Sequence, residues 1–181
     1  MGDWVLGVIG GSGLYEIPGL TGARWSRIDT PWGEPSDELL TGELDGLKPK
    51  AVVLMIGTNN TGFEADKVTP RNTPAEAAEG VKAIVRGLRA KFPATKILLL
   101  AVFPRGEKPD NPQRLQVAAI NAVIAKLDNG RSVRYLDIGP KFLAADGTLP
   151  KDVMPDFLHP NEKGYEIWAA AIKEPLAELL K

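Results

Sequence analysis

Ala51-Val52-Val53-Leu54-Met55-Ile56 is an unbroken apolar run with no polar residue to turn toward water. A strand of that kind must be covered on both faces, which only a helix-flanked, mainly parallel sheet provides. Lys96 to Phe103 and Val133 to Ile138 read as further buried strands, and Trp4 to Ile9 as a short one that ends in Gly10-Gly11-Ser12-Gly13, a tight turn. Between them lie helix signals. Thr73-Pro74-Ala75-Glu76 is a capping box with proline at the first helical position, and the helix it opens carries Val81, Ile84, Val85, Leu88 and Phe92 on one face. Asn111-Pro112 starts a second helix with Val117, Ile120, Ile124 and Leu127 as its stripe. Residues 161–180 form a last helix, facing inward through Tyr165, Trp168, Ile172, Leu176 and Leu179 and bent at Pro175.

Strands alternating with helices in this way imply parallel βαβ units and an α/β fold, a three-layer α/β/α sandwich with a central parallel sheet. A chain of 181 residues fits one such domain. Residues 14–46, rich in Gly and Pro, hold two candidate strands at 23–29 and 38–44. Whether these extend the sheet edge, pair as a hairpin or form loop stays open.

Composition narrows the chemistry. There is no cysteine, hence no disulfide, thiol nucleophile or thiolate metal site, and a single histidine argues against zinc. A net charge of −1 gives no pull toward nucleic acid or membrane surfaces. The start of the chain lacks a basic, apolar leader and no stretch reaches transmembrane length, so a cytoplasmic protein is expected, with no cofactor and an oligomeric state left undetermined.

In a parallel α/β sheet, ligands bind beyond the carboxyl ends of the strands. Three polar groups fall there. Ser12 follows the first strand, Asn59 follows the strand from Ala51, and Asp156 and His159 precede the last helix. That set permits acyl transfer from a small-molecule ester. Ser12 would be the nucleophile, His159 the base and Asp156 the acid that orients the imidazole, with Asn59 donating to an oxyanion. Each has a plainer reading. His159 can be structural, Asn59 can close a turn, and Gly11, Ser12 and Gly13 can cradle an anion through backbone N–H groups without chemistry. Arg105 reads equally as an anion ligand or a structural residue, and Asp137 as a strand-end cap.

Gly57-Thr58-Asn59-Asn60, Ala101-Val102-Phe103-Pro104-Arg105-Gly106, Tyr135-Leu136-Asp137-Ile138 and Asp156-Phe157-Leu158-His159-Pro160, followed by Lys163-Gly164-Tyr165, stand in an order and spacing that resemble the SGNH, or GDSL-type, esterases, and among them the platelet-activating-factor acetylhydrolase-like branch. The resemblance covers residues 43–181. It implies a flavodoxin-like fold, metal-free ester hydrolysis, and the roles just given for Asn59, His159 and Asp156. The family's Gly-Asp-Ser-Leu block is absent, as is the later block whose glycine supplies an oxyanion N–H; Gly33 and Gly42 are both candidates for that N–H.

Residues 5–42, through Gly7-Val8-Ile9-Gly10-Gly11-Ser12-Gly13-Leu14-Tyr15 and Thr30-Pro31-Trp32-Gly33-Glu34-Pro35-Ser36, instead resemble the N-terminus of methylthioadenosine and related purine nucleoside phosphorylases. On that reading the chain is a chimera joined between Asp37 and Leu47, within one domain, and Ser12 stands in for the missing serine. The alternatives are a catalytically impaired hybrid that keeps an anion-binding glycine-rich loop and, less favoured, a fragment of a nucleoside phosphorylase.

Overall fold

Alternate residues of the strands enter opposite cores, and this places every helix. The computed structural model describes residues 6–9, 21–26, 39–43, 49–64, 66 and 68–181. Its main sheet is four-stranded in the order β1-β4-β5-β6, with β1 at Leu6–Ile9, β4 at Ala51–Leu54, β5 at Lys96–Leu100 and β6 at Val133–Leu136. All its pairings are parallel. Val52, Leu54, Ile97, Leu99 and Val133 point to one side and pack on Ala77, Ala78, Val81 and Val85 of helix α1 (Pro74–Lys91) and on Val117, Ile120 and Ile124 of α2 (Pro112–Ile124). Val53, Leu98 and Leu100 point to the other and meet Leu179 of α3 (Glu162–Leu180), together with Ile138, Phe142 and Met154 from the loops. The three-layer α/β/α sandwich expected from the apolar runs is the observed fold. Each fully buried Leu or Ile in it contributes roughly 1.5–3 kcal/mol.

The capping box is formed as the sequence implies, with the Thr73 side chain accepting from the Glu76 N–H while Glu76 accepts from the Thr73 N–H. Asn111 caps α2 by accepting from the Gln113 N–H. The candidate strands near the N-terminus are β2 (Thr21–Ser26) and β3 (Leu39–Glu43), which pair antiparallel with each other as a separate two-stranded sheet. Among the described residues no helix is long and apolar enough to cross a membrane.

Several expectations need correction, among them the strands read over 51–56 and 133–138, which end at Leu54 and Leu136. Tyr165 does not face inward; it is 57% exposed and stacks on Trp168. The inward position in that turn belongs to Gly164, where a Cβ would press on the Val153 carbonyl and the Pro160 ring, so the helix start lies too close to the preceding loop for any side chain. The strand expected over Lys96 to Phe103 also stops at Leu100, although Ala101 to Phe103 stay buried. Beyond that point a side chain replaces the neighbouring strand: Asn121 Oδ1 accepts from the Val102 N–H at 2.8 Å and its Nδ2 donates to the Val102 carbonyl at 2.9 Å.

Asn121 lines a groove of about 440 Å³ between α2 and the 137–143 loop, so water can reach part of this site. Asn121→Ala is expected to lower the unfolding free energy by about 1–3 kcal/mol, the range for leaving buried backbone groups under-satisfied. A urea denaturation midpoint unchanged from that of the parent would show that the clamp is not holding Val102.

Candidate active site

Three loops at the carboxyl end of the sheet carry the site residues foreseen within the described part of the chain. The first follows β4. Gly57 takes φ +118°, which only glycine adopts without strain, and turns the chain into a 310 turn over Thr58–Thr61. Asn59 is exposed on that turn. Its neighbours are fixed: Asn60 Nδ2 donates to Asn72 Oδ1 at 2.8 Å, and buried Thr61 donates its hydroxyl to the Thr58 carbonyl at 2.7 Å.

The second loop follows β5 and holds Arg105 and Gly106. Arg105 Nη1 donates to the Thr58 carbonyl at 3.0 Å and to Thr61 Oγ1 at 3.3 Å. Its half-buried guanidinium has a lowered pKa, chiefly from desolvation and next from the charge of Arg71, with the Asp156 carboxylate opposing both. The Gly106 N–H donates to the Phe157 carbonyl at 2.9 Å.

The third loop, before α3, carries Asp156 and His159. Asp156 uses both oxygens. Oδ1 accepts the N–H groups of Leu158 at 3.1 Å and His159 at 2.8 Å, and Oδ2 lies 2.6 Å from His159 Nδ1. This tight turn forces Phe157 to φ +59°, the one positive φ at a non-glycine among the described residues. The side chain that accepts this conformation is anchored in the α3-side core.

The Asp156 carboxyl is held well below its ordinary 3.8, at about 2. The His159 N–H is the largest cause, followed by the imidazole, then the Leu158 N–H and the His159 charge. A carboxylate is acceptor only, so the imidazole must place its proton on Nδ1, leaving the Nε2 lone pair free as a base. Among the described residues Nε2 has no hydrogen-bond partner, and the side chains of His159 and Asp156 are 64% and 55% exposed.

Sequence reasoning foresaw Asn59, Asp156 and His159, and the bonds of Arg105 and Gly106 link the two loops that carry them. Ser12, Gly11 and Gly13 lie outside the described residues, as does Gly33. Within the described residues, Ile9, the end of β1, is level with Leu54, the end of β4, in the adjacent strand. Asp137, just past the end of β6, accepts from the Gly139 N–H at 2.8 Å, so its carboxylate closes the turn that leaves the strand. Sequence reasoning missed Asn121 and Arg114, both polar residues on the otherwise apolar inner flank of α2, and that interruption was the available signal. Among the described residues no group of His, Asp and Glu is arranged to hold a metal.

Because the folded pKa of Asp156 lies below the unfolded one, its stabilisation of the loop is complete above about 3.8 and is lost as pH falls toward about 2. The carboxyl carbon of Asp156 should titrate in NMR with a midpoint near 2, and Asp156→Asn should remove that part of the acid-induced loss of stability. A midpoint near 4 would mean that the turn does not hold the carboxylate.

Comparison with known proteins gives the family and supports the fold. Residues 14–167 match the model of the GDSL-like lipase/acylhydrolase family. Among curated proteins, the chain is 40% identical over 157 residues to the chicken (Gallus gallus) platelet-activating factor acetylhydrolase IB subunit alpha2, covering 86% of this chain and 62% of that protein. It is 38% identical over 143 residues to the human subunit alpha2, covering 78% of this chain and 56% of that protein. The chain thus spans about three fifths of the length of the curated relatives it matches.

Among solved structures, a GDSL-like lipase from Bacteroides thetaiotaomicron superposes with a TM-score of 0.56 at 21% identity, over 72% of this chain and 63% of that one. An acetylxylan esterase from Geobacillus stearothermophilus gives 0.57 at 20% identity, over 73% and 60%. Both support the fold. The family match runs through the junction expected between Asp37 and Leu47 and takes in residues 14–42, so it lends no support to a phosphorylase-derived part. The parallel sheet, the ordered motifs and the match along most of the chain lead to one assignment: this protein belongs to the GDSL-like lipase/acylhydrolase family.

Proposed function

We propose that the protein hydrolyses short acyl esters, acetyl esters foremost, through a Ser12-His159-Asp156 triad with Asn59 as an oxyanion donor. One observation carries the reading: the 2.6 Å contact of His159 Nδ1 with a carboxylate that its own turn keeps ionised. That contact sets the tautomer in which Nε2 can accept a proton. Ser12 attacks the ester carbonyl as Nε2 takes its hydroxyl proton. The imidazolium, balanced by Asp156, returns the proton to the departing alkoxide. Water then repeats the sequence on the acyl-enzyme. Asn59 and backbone N–H groups hold the negative oxygen in both steps. The acetyl preference follows the names of the relatives, platelet-activating factor acetylhydrolase subunits and an acetylxylan esterase.

A second reading is a fold member without a working nucleophile. The family match beginning at residue 14, just after Ser12, favours it. A fluorophosphonate probe separates the two, since it labels Ser12 only if that hydroxyl is activated by His159.

With p-nitrophenyl acetate, His159→Ala is expected to lower turnover by about 10²–10⁴, the usual contribution of a general base. Asn59→Ala should lower it by about 10²–10³, the loss typical of one oxyanion donor. Ser12→Ala should abolish both labelling and burst kinetics. Equal turnover by the parent, Ser12→Ala and His159→Ala would sink the triad.

A further inference from the structure

Arg105 stands between the two halves of the proposed site. Its guanidinium holds the Thr58 carbonyl and the Thr61 hydroxyl, one on each side of Asn59, while the next residue, Gly106, donates its N–H to Phe157 in the His159 turn. This pair of residues is itself fixed from outside the site. Arg114 of α2 donates from Nη2 to the Gly106 carbonyl at 2.6 Å, from Nε to the Arg105 carbonyl at 3.4 Å, and from Nη1 to the Gly147 carbonyl at 3.1 Å. Gly106 takes φ +85°, and a Cβ there would run into the Asn111 side chain that caps the same helix. Neither arginine has a carboxylate in salt-bridge contact among the described residues. The bonds they make, from Nη1 in Arg105 and from Nε, Nη1 and Nη2 in Arg114, go to backbone and hydroxyl oxygens, as in residues that shape loops.

We propose that Arg105 is a positioning residue: clamped by Arg114, it sets the Asn59 turn in register with the Asp156–His159 turn. The inference rests on the hydrolase reading for its kinetic consequence, but the coupling of the two turns stands apart from it. The demand is geometric. An oxyanion donor works only within about 2.7–3.1 Å of the developing charge, and a misplacement of about 1 Å can reduce turnover about 10²-fold.

Arg105→Ala, Arg105→Lys and Arg114→Gln test it, with two readouts. In steady-state hydrolysis of p-nitrophenyl acetate, Arg105→Ala should lower kcat by about 10–100-fold with KM within about threefold, Arg105→Lys should recover part of the loss, and Arg114→Gln should fall between Arg105→Ala and the parent. Amide hydrogen exchange should quicken at both Asn60 and His159 in Arg105→Ala, and remain slow in β4 and β5. A raised KM at unchanged kcat would overturn the proposal in favour of a substrate-binding arginine. Equal losses in Arg105→Ala and Arg105→Lys, matched by equal drops in Tm, would reduce it to general scaffolding. Exchange that quickens in only one turn, or in neither, would refute the coupling. If the parent hydrolyses no ester, the exchange result still decides the coupling, and only the hydrolase reading fails.

Discussion

Everything in this fold follows from β4 and β5 being covered on both faces. Val52 and Leu54 look toward α1 and α2 while Val53 looks toward α3, and β5 repeats the division with Ile97 and Leu99 against Leu98 and Leu100. Strands buried this way leave no solvated face, so each must return through a helix and run parallel to its neighbour. Parallel strands all finish at the same edge. The described loops that follow β4 and β5 therefore leave the sheet at one edge before any contact between them forms, and chemistry at this edge needs only short loops with the right side chains.

Those loops are held by backbone hydrogen bonds far more than by charge. Asp156 shapes its own turn by accepting from Leu158 and His159, and the same carboxylate then meets the imidazole. Arg105 and Arg114 direct their donors to carbonyls and a hydroxyl. Such bonds fix direction as well as distance, which is what separate loops require if they are to present converging groups.

The sequence announced the strands because an apolar run is a local pattern, and it announced α1 because a capping box is local too. Asp156 and His159 were legible for a related reason: their contact spans three residues and closes within one turn. Features that depend on distant partners stayed hidden. Tyr165 fits the helical stripe by periodicity, yet the close approach of the 153–160 loop gave the inward position to Gly164. Asn121 ends β5 early by substituting for a strand neighbour, a bond across nineteen positions that no window of the sequence reveals. Arg105 read as an ambiguous cation because its partners, Thr58 and Thr61, lie on the previous strand's loop.

The exposure of the His159–Asp156 pair decides what Asp156 can contribute. At 64% and 55% exposed, the two side chains sit in water, where a carboxylate attracts an imidazolium only weakly and salt screens what remains. Electrostatic stabilisation of the kind a dry cleft supplies is therefore small in the exposed pair. The contribution that does not wait for substrate is orientation. Oδ2 holds Nδ1–H at 2.6 Å whether or not the site is covered, because the backbone bonds to Oδ1 keep the carboxylate in place. The turn thus fixes the ring direction, and with it the tautomer, through bonds that the surrounding water does not disturb.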